Sequence, residues 1–493
     1  MGDKRVLEKG IDVRTINARV ESWKFGVILL ALLLAGCAVG PDYRTPEVSA
    51  PAAWHSAMKG GLKPISPEAA QLARWWNGLD DPQLSRLIEE AAVNNLDLNQ
   101  AQARLREARA RRGVSAADRF PTLNAGAGAN RNRISKEMGM GGGSISDTWS
   151  AQFDASWEPD IFGGKRRALE ATTANLEASQ EDLRDVQVSL MAEVALNYVE
   201  LRSYQARLSI AQKSLTTQTE TWQIASWRHE AGLTTQLDED QSRLNLEQTR
   251  AQLPTLQTGL EQSKNRLAVL LGRKPGELAE LESLAAIPHT PAEVAVGVPA
   301  ETLRQRPDLR RAERQLAAAT AQVGVATAAL YPNFSLSGTL GLQALSSDNL
   351  LQASARMFSV AANAGLVLFD AGRIRQNIEV QNALQEQALI RYESAVLVAL
   401  RDVENALVDY AEEQNRRMAL VAAVQAAQSA AGLAANQYAA GLVDFLAVLD
   451  TQRSLLSLQD QLSQSEAAIT SNLVRLYKAM GGGWTTESLG EKP

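Results

Sequence analysis

Two hydrophobic periodicities share this chain. Long stretches follow the period of a helix. From about Lys165 to Glu230, and again from about Arg373 to Ala439, no proline interrupts a run of roughly 65 residues, which at 1.5 Å per residue predicts helices on the order of 100 Å long. Each run ends at an Ala-Gly-Leu string, with Gly232 or Gly441 suited to a left-handed cap. A second helix then returns, to about Leu271 and to Ala479, and Thr235-Gln236-Leu237-Asp238 reads as a capping box opening the first of these. The stretch 148–167, TWSAQFDASWEPDIFGGKRR, breaks the pattern. Trp149, Ala151, Phe153, Ala155 and Trp157 alternate with Ser150, Gln152, Asp154, Ser156 and Glu158, the period-2 signature of a strand with two unlike faces. Leu123–Ala129, Phe334–Leu342 and Phe358–Leu366 alternate likewise, which predicts two hairpins, 123–129 with 148–158 and 334–342 with 358–366. Each strand is about the length that crosses a bilayer when tilted.

The chain is written twice. Residues 97–121, DLNQAQARLREARARRGVSAADRFP, align without a gap with 308–332, DLRRAERQLAAATAQVGVATAALYP; ten of 25 positions are identical, more than alanine richness explains. Each half reads helix, strand, loop, strand, long helix, tight turn, long helix. The segment from Gly272 to Pro299, with Pro275, Pro288 and Pro291, joins them. The expected organisation is a leader 1–36, an extended segment 37–81, a first repeat 82–272, a linker 273–299, a second repeat 300–480 and a tail 481–493.

Composition agrees with long helices: aromatics are only 5% and Ala, Gln, Leu, Glu and Arg dominate. A net charge of −6 offers no basic surface to nucleic acid. Lys4, Arg5, Lys9, Arg14, Arg19 and Lys24 precede an apolar run from Phe25 to Ala35, too short for the ~20 residues of a spanning helix but suited to a signal peptide. The run ends in Leu34-Ala35-Gly36-Cys37, which resembles a bacterial lipobox; Cys37 is the only cysteine. Acylation there would leave none for disulfides, metals or catalysis, and Ala38 in place of Asp fits sorting to the outer membrane. The three histidines are far apart, no phosphate loop or nucleophile elbow occurs, and the eight methionines do not cluster. No enzyme and no cofactor is expected beyond a covalent lipid on Cys37.

Four strands cannot close their own edges, and an open edge in lipid strands backbone groups at several kcal/mol each. Spanning barrels begin at about eight strands, and at that size side chains fill the interior. Three chains would supply twelve strands around an open lumen. Trp149, Phe153, Trp157, Leu336 and Leu366 would then face lipid, and Gln152, Asp154, Ser156 and Ser337 water.

Several strings carry a family likeness: LLLAGCAVGPDY (32–43), WWNGLDDPQL (75–84), LRQRPDLRRAERQLAAATAQVGVATAALYPNFSLSG (303–338), LFDAGRIR (368–375) and LAVLDTQRSLL (446–456). Over essentially the whole mature chain it resembles the TolC-like outer membrane factors, in their NodT/OprM-type lipoprotein branch. The resemblance implies a mainly α protein with a membrane β-barrel contribution. It would be a homotrimer, with a 12-stranded β-barrel continued by a 12-helix periplasmic α-barrel and an equatorial belt formed by the linker and terminal segments. It implies a lipid-anchored protein of the Gram-negative outer membrane, extending into the periplasm. Such a protein is a passive exit duct for drugs or other small molecules, partnered by a periplasmic adaptor and an inner-membrane pump of RND type. The turns at Gly232-Leu233 and Gly441-Leu442 would face the adaptor. Leu446, Asp450 and Arg453, at i, i+4 and i+7 on one helix face, would ring the periplasmic entrance. TolC-like members carry a further Asp where this chain has Ala447, so a double acidic ring is not expected. Two alternatives carry different functions: the duct of a type I protein-secretion system, and a pore-less periplasmic coiled-coil scaffold.

Overall fold

The computed structural model describes residues 38–47, 50–138 and 143–484. In chain order the elements are β1 (Leu62–Lys63), α1 (Ala69–Ala73), α2 (Pro82–Asn94), α3 (Leu96–Ala117), β2 (Thr122–Arg133), β3 (Ile145–Trp157), α4 (Gly164–Glu230), α5 (Gln236–Leu270), β4 (Val294–Ala295), α6 (Pro299–Gln305), α7 (Pro307–Ala328), β5 (Asn333–Ala344), β6 (Arg356–Gly365), α8 (Arg373–Ala439) and α9 (Phe445–Ala479). The duplication is visible in the lengths: α3 and α7 have 22 residues each, α4 and α8 67, α5 and α9 35.

The chain forms two units. The first takes residues up to Thr45 together with 107–176 and 314–390. It holds one four-stranded antiparallel sheet in the order β2-β3-β5-β6. The two hairpins expected from the alternation are joined by pairing of β3 with β5, Phe153 opposite Leu340 and Trp157 opposite Leu336. All four strands run beyond an expected end: β2 continues to Arg133, β3 begins at Ile145, β5 ends at Ala344 and β6 begins at Arg356. Apart from Ile145, the extra residues of β2 and β3 are polar or charged, so alternation by hydrophobicity could not find them. Arg131 and Asp147 sit opposite each other and are held by two hydrogen bonds of 2.6 and 2.7 Å. Leu366 corrects the fourth strand. β6 ends at Gly365, so Leu366 opens the apolar turn that leads into α8 rather than standing on the sheet.

The second unit takes 46–106, 177–313 and 391–493. Alanine-rich helices of high propensity make up most of it. α2 is capped by Asp81, which accepts from the N–H groups of Gln83 and Leu84 at 2.9 Å, with Pro82 at the first helical position. Its Leu84, Leu87, Ile88 and Ala91 are buried. Trp75 stacks on Tyr477 of α9, 5.4 Å between centroids. Lys63 and Leu62 of β1 pair in parallel with β4, which brings the segment before α1 to the linker between repeats. Gly232 and Gly441 have φ of 70° and 73°. Behind each stands a Schellman turn: Leu233 N–H donates to Arg228 O and Leu442 N–H to Gln437 O. Thr235 and Asp238 form a full capping box on α5.

Candidate membrane sheet and helix-tip sites

Directly paired residues of a sheet share a face. The registers therefore assemble two continuous surfaces in the first unit. One carries Leu123, Ala125, Ala127 and Ala129 of β2, then Trp149, Phe153 and Trp157, then Leu336 and Leu340, then Phe358 and Val360. The other carries Asn124 and Asn130, Ser150, Gln152, Asp154 and Ser156, Ser337 and Thr339, and Ser359 and Asn363. The polar surface is bonded laterally: Thr339 Oγ1 donates to Asp154 Oδ1 at 2.7 Å and Gln152 Nε2 to Asp154 Oδ2 at 2.9 Å. Trp157 uses its indole N–H on Arg119 O at 2.9 Å, leaving the ring on the apolar surface at the sheet's end. β2 and β6 are the unpaired edges.

A third feature of this unit was not legible as a site. Cys37 lies outside the described residues, but the residues after it are seated. Val39 N–H donates to Phe162 O at 3.1 Å. Arg167, buried in α4, donates to Val39 O, to Gly40 O and to Asp42 Oδ1, the last at 2.6 Å. Gly40 packs on Gly324, where a Cβ on Gly40 would stand 2.4 Å from the Gly324 Cα. Burial opposes the Arg167 charge, but Asp42 and Glu170 outweigh it and raise its pKa further. A tertiary contact that spacing does not report joins the strings GPDY and GGKRR.

The tip site lies in the second unit. Phe445, Leu449 and Ala225 form a small core beneath Tyr438. Opposite that core Leu446 and Asp450 are exposed. Arg453 reaches back to Asp450 at 3.4 Å and also donates from Nε to Asn245 Oδ1 of α5 at 3.0 Å, so it braces the acid and ties α9 to α5. The cap of α9 is Asp444, which accepts from Ala447 N–H at 3.1 Å. Asp450 sits in the second turn, beyond the capping position. Leu233 and Leu442, in the two glycine turns, are exposed. His229 Nδ1 lies 2.8 Å from Glu239 Oε2 beside the first turn. Among the described residues no group of His, Cys, Asp and Glu could hold a metal ion.

Two buried arginines organise the rest of this unit. Arg202 is fully buried and donates to Gln83 Oε1 (2.6 Å), Gln205 Oε1 (2.7 Å), Ser283 O (2.9 Å) and the Tyr198 hydroxyl (3.1 Å). Burial pushes the Tyr198 phenol up to about 12, and the hydroxyl donates to Asp81 Oδ2. Arg306, of the Arg-Pro-Asp-Leu string, forks onto Asp308 at 3.0 and 2.7 Å and donates to Ala479 O at 2.8 Å. The most specific string in the sequence is thus a buried staple between the start of α7 and the end of α9.

The family model for outer membrane efflux proteins matches residues 87–273 and 298–482. The chain is 34% identical over 465 residues to the pyoverdine export outer membrane protein OpmQ of Pseudomonas putida, covering 93% of this chain and 97% of that protein. It is 31% identical over 467 residues to the probable efflux pump outer membrane protein SepC of Pseudomonas putida, covering 93% and 96%. Among solved structures it is similar to the outer-membrane channel OprN, with TM-score 0.86 and 39% identity over 91% of this chain and 100% of that one. It is also similar to the open state of the Neisseria gonorrhoeae MtrE outer membrane channel, with TM-score 0.80 and 28% identity over 91% and 98%.

Proposed function

The chain belongs to the outer membrane efflux protein family, and from that premise we propose that it is the passive outer-membrane duct of a tripartite efflux system. The observation that carries the reading is the four-stranded sheet with one apolar face, one polar face and two unpaired edges. In lipid those edges must find partners, and copies of the chain supply them. Three copies give twelve strands, apolar outward and polar inward. The wall needs no chemistry of its own: Gln152, Asp154 and Thr339 line a wet lumen, and the driving force comes from an inner-membrane pump acting through a periplasmic adaptor at the glycine turns. The similarity to proteins named for efflux and pyoverdine export favours small molecules over secreted protein as cargo. Leu446, Asp450 and Arg453 form the periplasmic constriction, three leucines and three aspartates under threefold symmetry. Cys37 carries the lipid anchor, and the Arg167 seat holds the residues after it against the sheet-bearing unit.

Purified protein in planar bilayers tests this reading. Trimers that conduct ions, from a strain whose deletion mutant is sensitised to exported compounds, are expected. A protein that fractionates with membranes but never conducts would return the reading to a pore-less scaffold.

A further inference from the structure

The charged side chains of the four-stranded sheet are Arg131, Arg133, Asp147, Asp154 and Arg356. Pairing fixes the face of each. Arg131 and Arg133 continue the row of Ala127 and Ala129, opposite Asp147 and Ile145. Arg356 stands opposite Leu342, and Leu342 opposite Ala151. All three arginines are thus on the apolar surface with Asp147, and Asp154 alone is on the polar one. They also share one end of the sheet. Arg133 closes β2 and Arg356 opens β6, each beside a hairpin loop, while α3, α4, α7 and α8 join the strands at the opposite end.

This placement runs against the solvation of arginine. β2 ends in Asn130-Arg131-Asn132-Arg133, with the asparagines on the water-facing side and the arginines on the lipid-facing side. A charge on the lipid face of a barrel costs roughly 2–4 kcal/mol at mid-bilayer and about 0–1 kcal/mol near the interface. Depth resolves the conflict. Trp149 and Trp157 lie eight residues apart on β3. At about 3.4 Å per residue and a tilt of about 40°, they differ in height by roughly 21 Å, close to the ~25 Å apolar band that aromatic girdles bound. Arg131 and Arg133 lie two and four residues beyond Ala129, the partner of Trp149. The same geometry sets them roughly 5 and 10 Å past the girdle, among headgroups. Arg131 is engaged by Asp147. Arg133 and Arg356 are exposed and have no ionic partner among the described residues. The other acids at this end, Glu137 and Asp348, belong to the loops beyond the strands.

We propose that this rim binds the phosphate groups of lipid A, the phosphorylated lipid of the outer leaflet, through Arg133 and Arg356 with Arg131 beside them. The inference rests on the duct reading, which turns this end outward and sets the β6 edge of one copy beside the β2 edge of the next, so the arginines gather at each junction. Charge and level select the occupant. An anion presented at headgroup height outside a barrel is a lipid phosphate, and a guanidinium donates paired N–H bonds to its oxygens. Anions crossing the lumen meet the opposite face of the sheet.

The parent protein is first tested for conductance in planar bilayers free of lipid A. A parent that never conducts overturns the duct reading and this inference with it. Delipidated parent trimers are then titrated with bisphosphorylated lipid A and followed by native mass spectrometry. One lipid per junction is expected, with chemically dephosphorylated lipid A binding about tenfold more weakly. R133Q/R356Q is expected to bind the phosphorylated lipid about tenfold more weakly than the parent does. Equal binding of the two lipids by conducting parent trimers overturns the inference alone, and that comparison needs no variant to fold. A preference for the phosphorylated lipid that survives in R133Q/R356Q places the phosphate site elsewhere and overturns it equally.

Discussion

At Asp308 two opposing effects can be weighed. Burial alone would push its carboxyl up, but the hydrogen bonds and charge of Arg306, with the Leu309 N–H, hold it below the ordinary carboxylate value. A depressed acid contributes stability that is present above its unfolded value, about 3.9, and is lost as pH falls through the lower folded value. Removing one partner of a buried pair costs about 3–5 kcal/mol, so Asp308→Asn is expected to lower the denaturation midpoint clearly at pH 7. The gap between parent and variant is expected to narrow below about pH 4. An unchanged gap at pH 3 would mean that packing, not charge, holds the staple. At the tip the relevant quantity is conductance rather than stability. Asp450 has no capping duty, since Asp444 has it, and it pairs with Arg453. Asp450→Ala with Arg453→Ala is expected to raise the resting conductance of trimers in planar bilayers without loss of assembly. Unchanged conductance in folded trimers would remove these residues from the constriction.

Elements show what pattern alone can and cannot deliver. Helix and strand types were legible because periodicity is a property of the chain itself: 67 residues of α4 carry no proline, and β3 alternates without a break from Trp149 to Trp157. Glycine turns were legible because few other residues adopt φ near 70°. Strand ends were not, since Arg131 and Asp147 extend the hairpin through an ion pair that only register reveals. Leu366 was misplaced for the converse reason: alternation continues past Gly365 after the pairing has stopped. The Arg167 seat and the Arg202 hub were invisible because their partners lie far away in sequence. Face assignment yields a paired prediction. Phe153→Arg puts a charge on the apolar face at roughly 2–4 kcal/mol near mid-bilayer, so trimers in the membrane fraction are expected to fall sharply. Asp154→Arg, one residue away, is expected to assemble and to shift selectivity toward anions. Equal tolerance of the two substitutions would show that the faces do not divide lipid from lumen. The glycine turns give a milder case: Gly441→Ala places a side chain in the left-handed region at a cost of about 1–2 kcal/mol, read as a lower trimer dissociation temperature.

At the scale of the whole molecule, a single chain leaves too much apolar surface in water. One 18-residue window of α8 has mean hydropathy 1.4 with only 11% of it buried, and the apolar face of the sheet is open. In the proposed duct, copies of the chain cover the helix and lipid covers the sheet. A lipid on Cys37, as proposed, must then add something else. An acyl chain contributes about 0.8 kcal/mol per buried methylene, and a single chain gives only reversible attachment. A closed barrel satisfies its own backbone and stays in the membrane unaided. We propose that the anchor acts before closure, holding each chain at the membrane while it waits for two others; the Arg167 seat holds Val39, Gly40 and Asp42 within the sheet-bearing unit. Intact-mass analysis is expected to show residues 1–36 absent and acyl groups on Cys37. Replacing residues 1–37 by the signal peptide of a soluble periplasmic protein, cleaved before Ala38, removes the lipid while leaving Val39, Gly40 and Asp42 to dock. Such chains are expected to reach the outer membrane as trimers of unchanged single-channel conductance, but more slowly, with a soluble monomer pool in pulse-chase. Permanently soluble chains would show that the lipid, not the barrel, holds the protein in place. Trimers formed at the parent's rate would show that the anchor has no part in assembly.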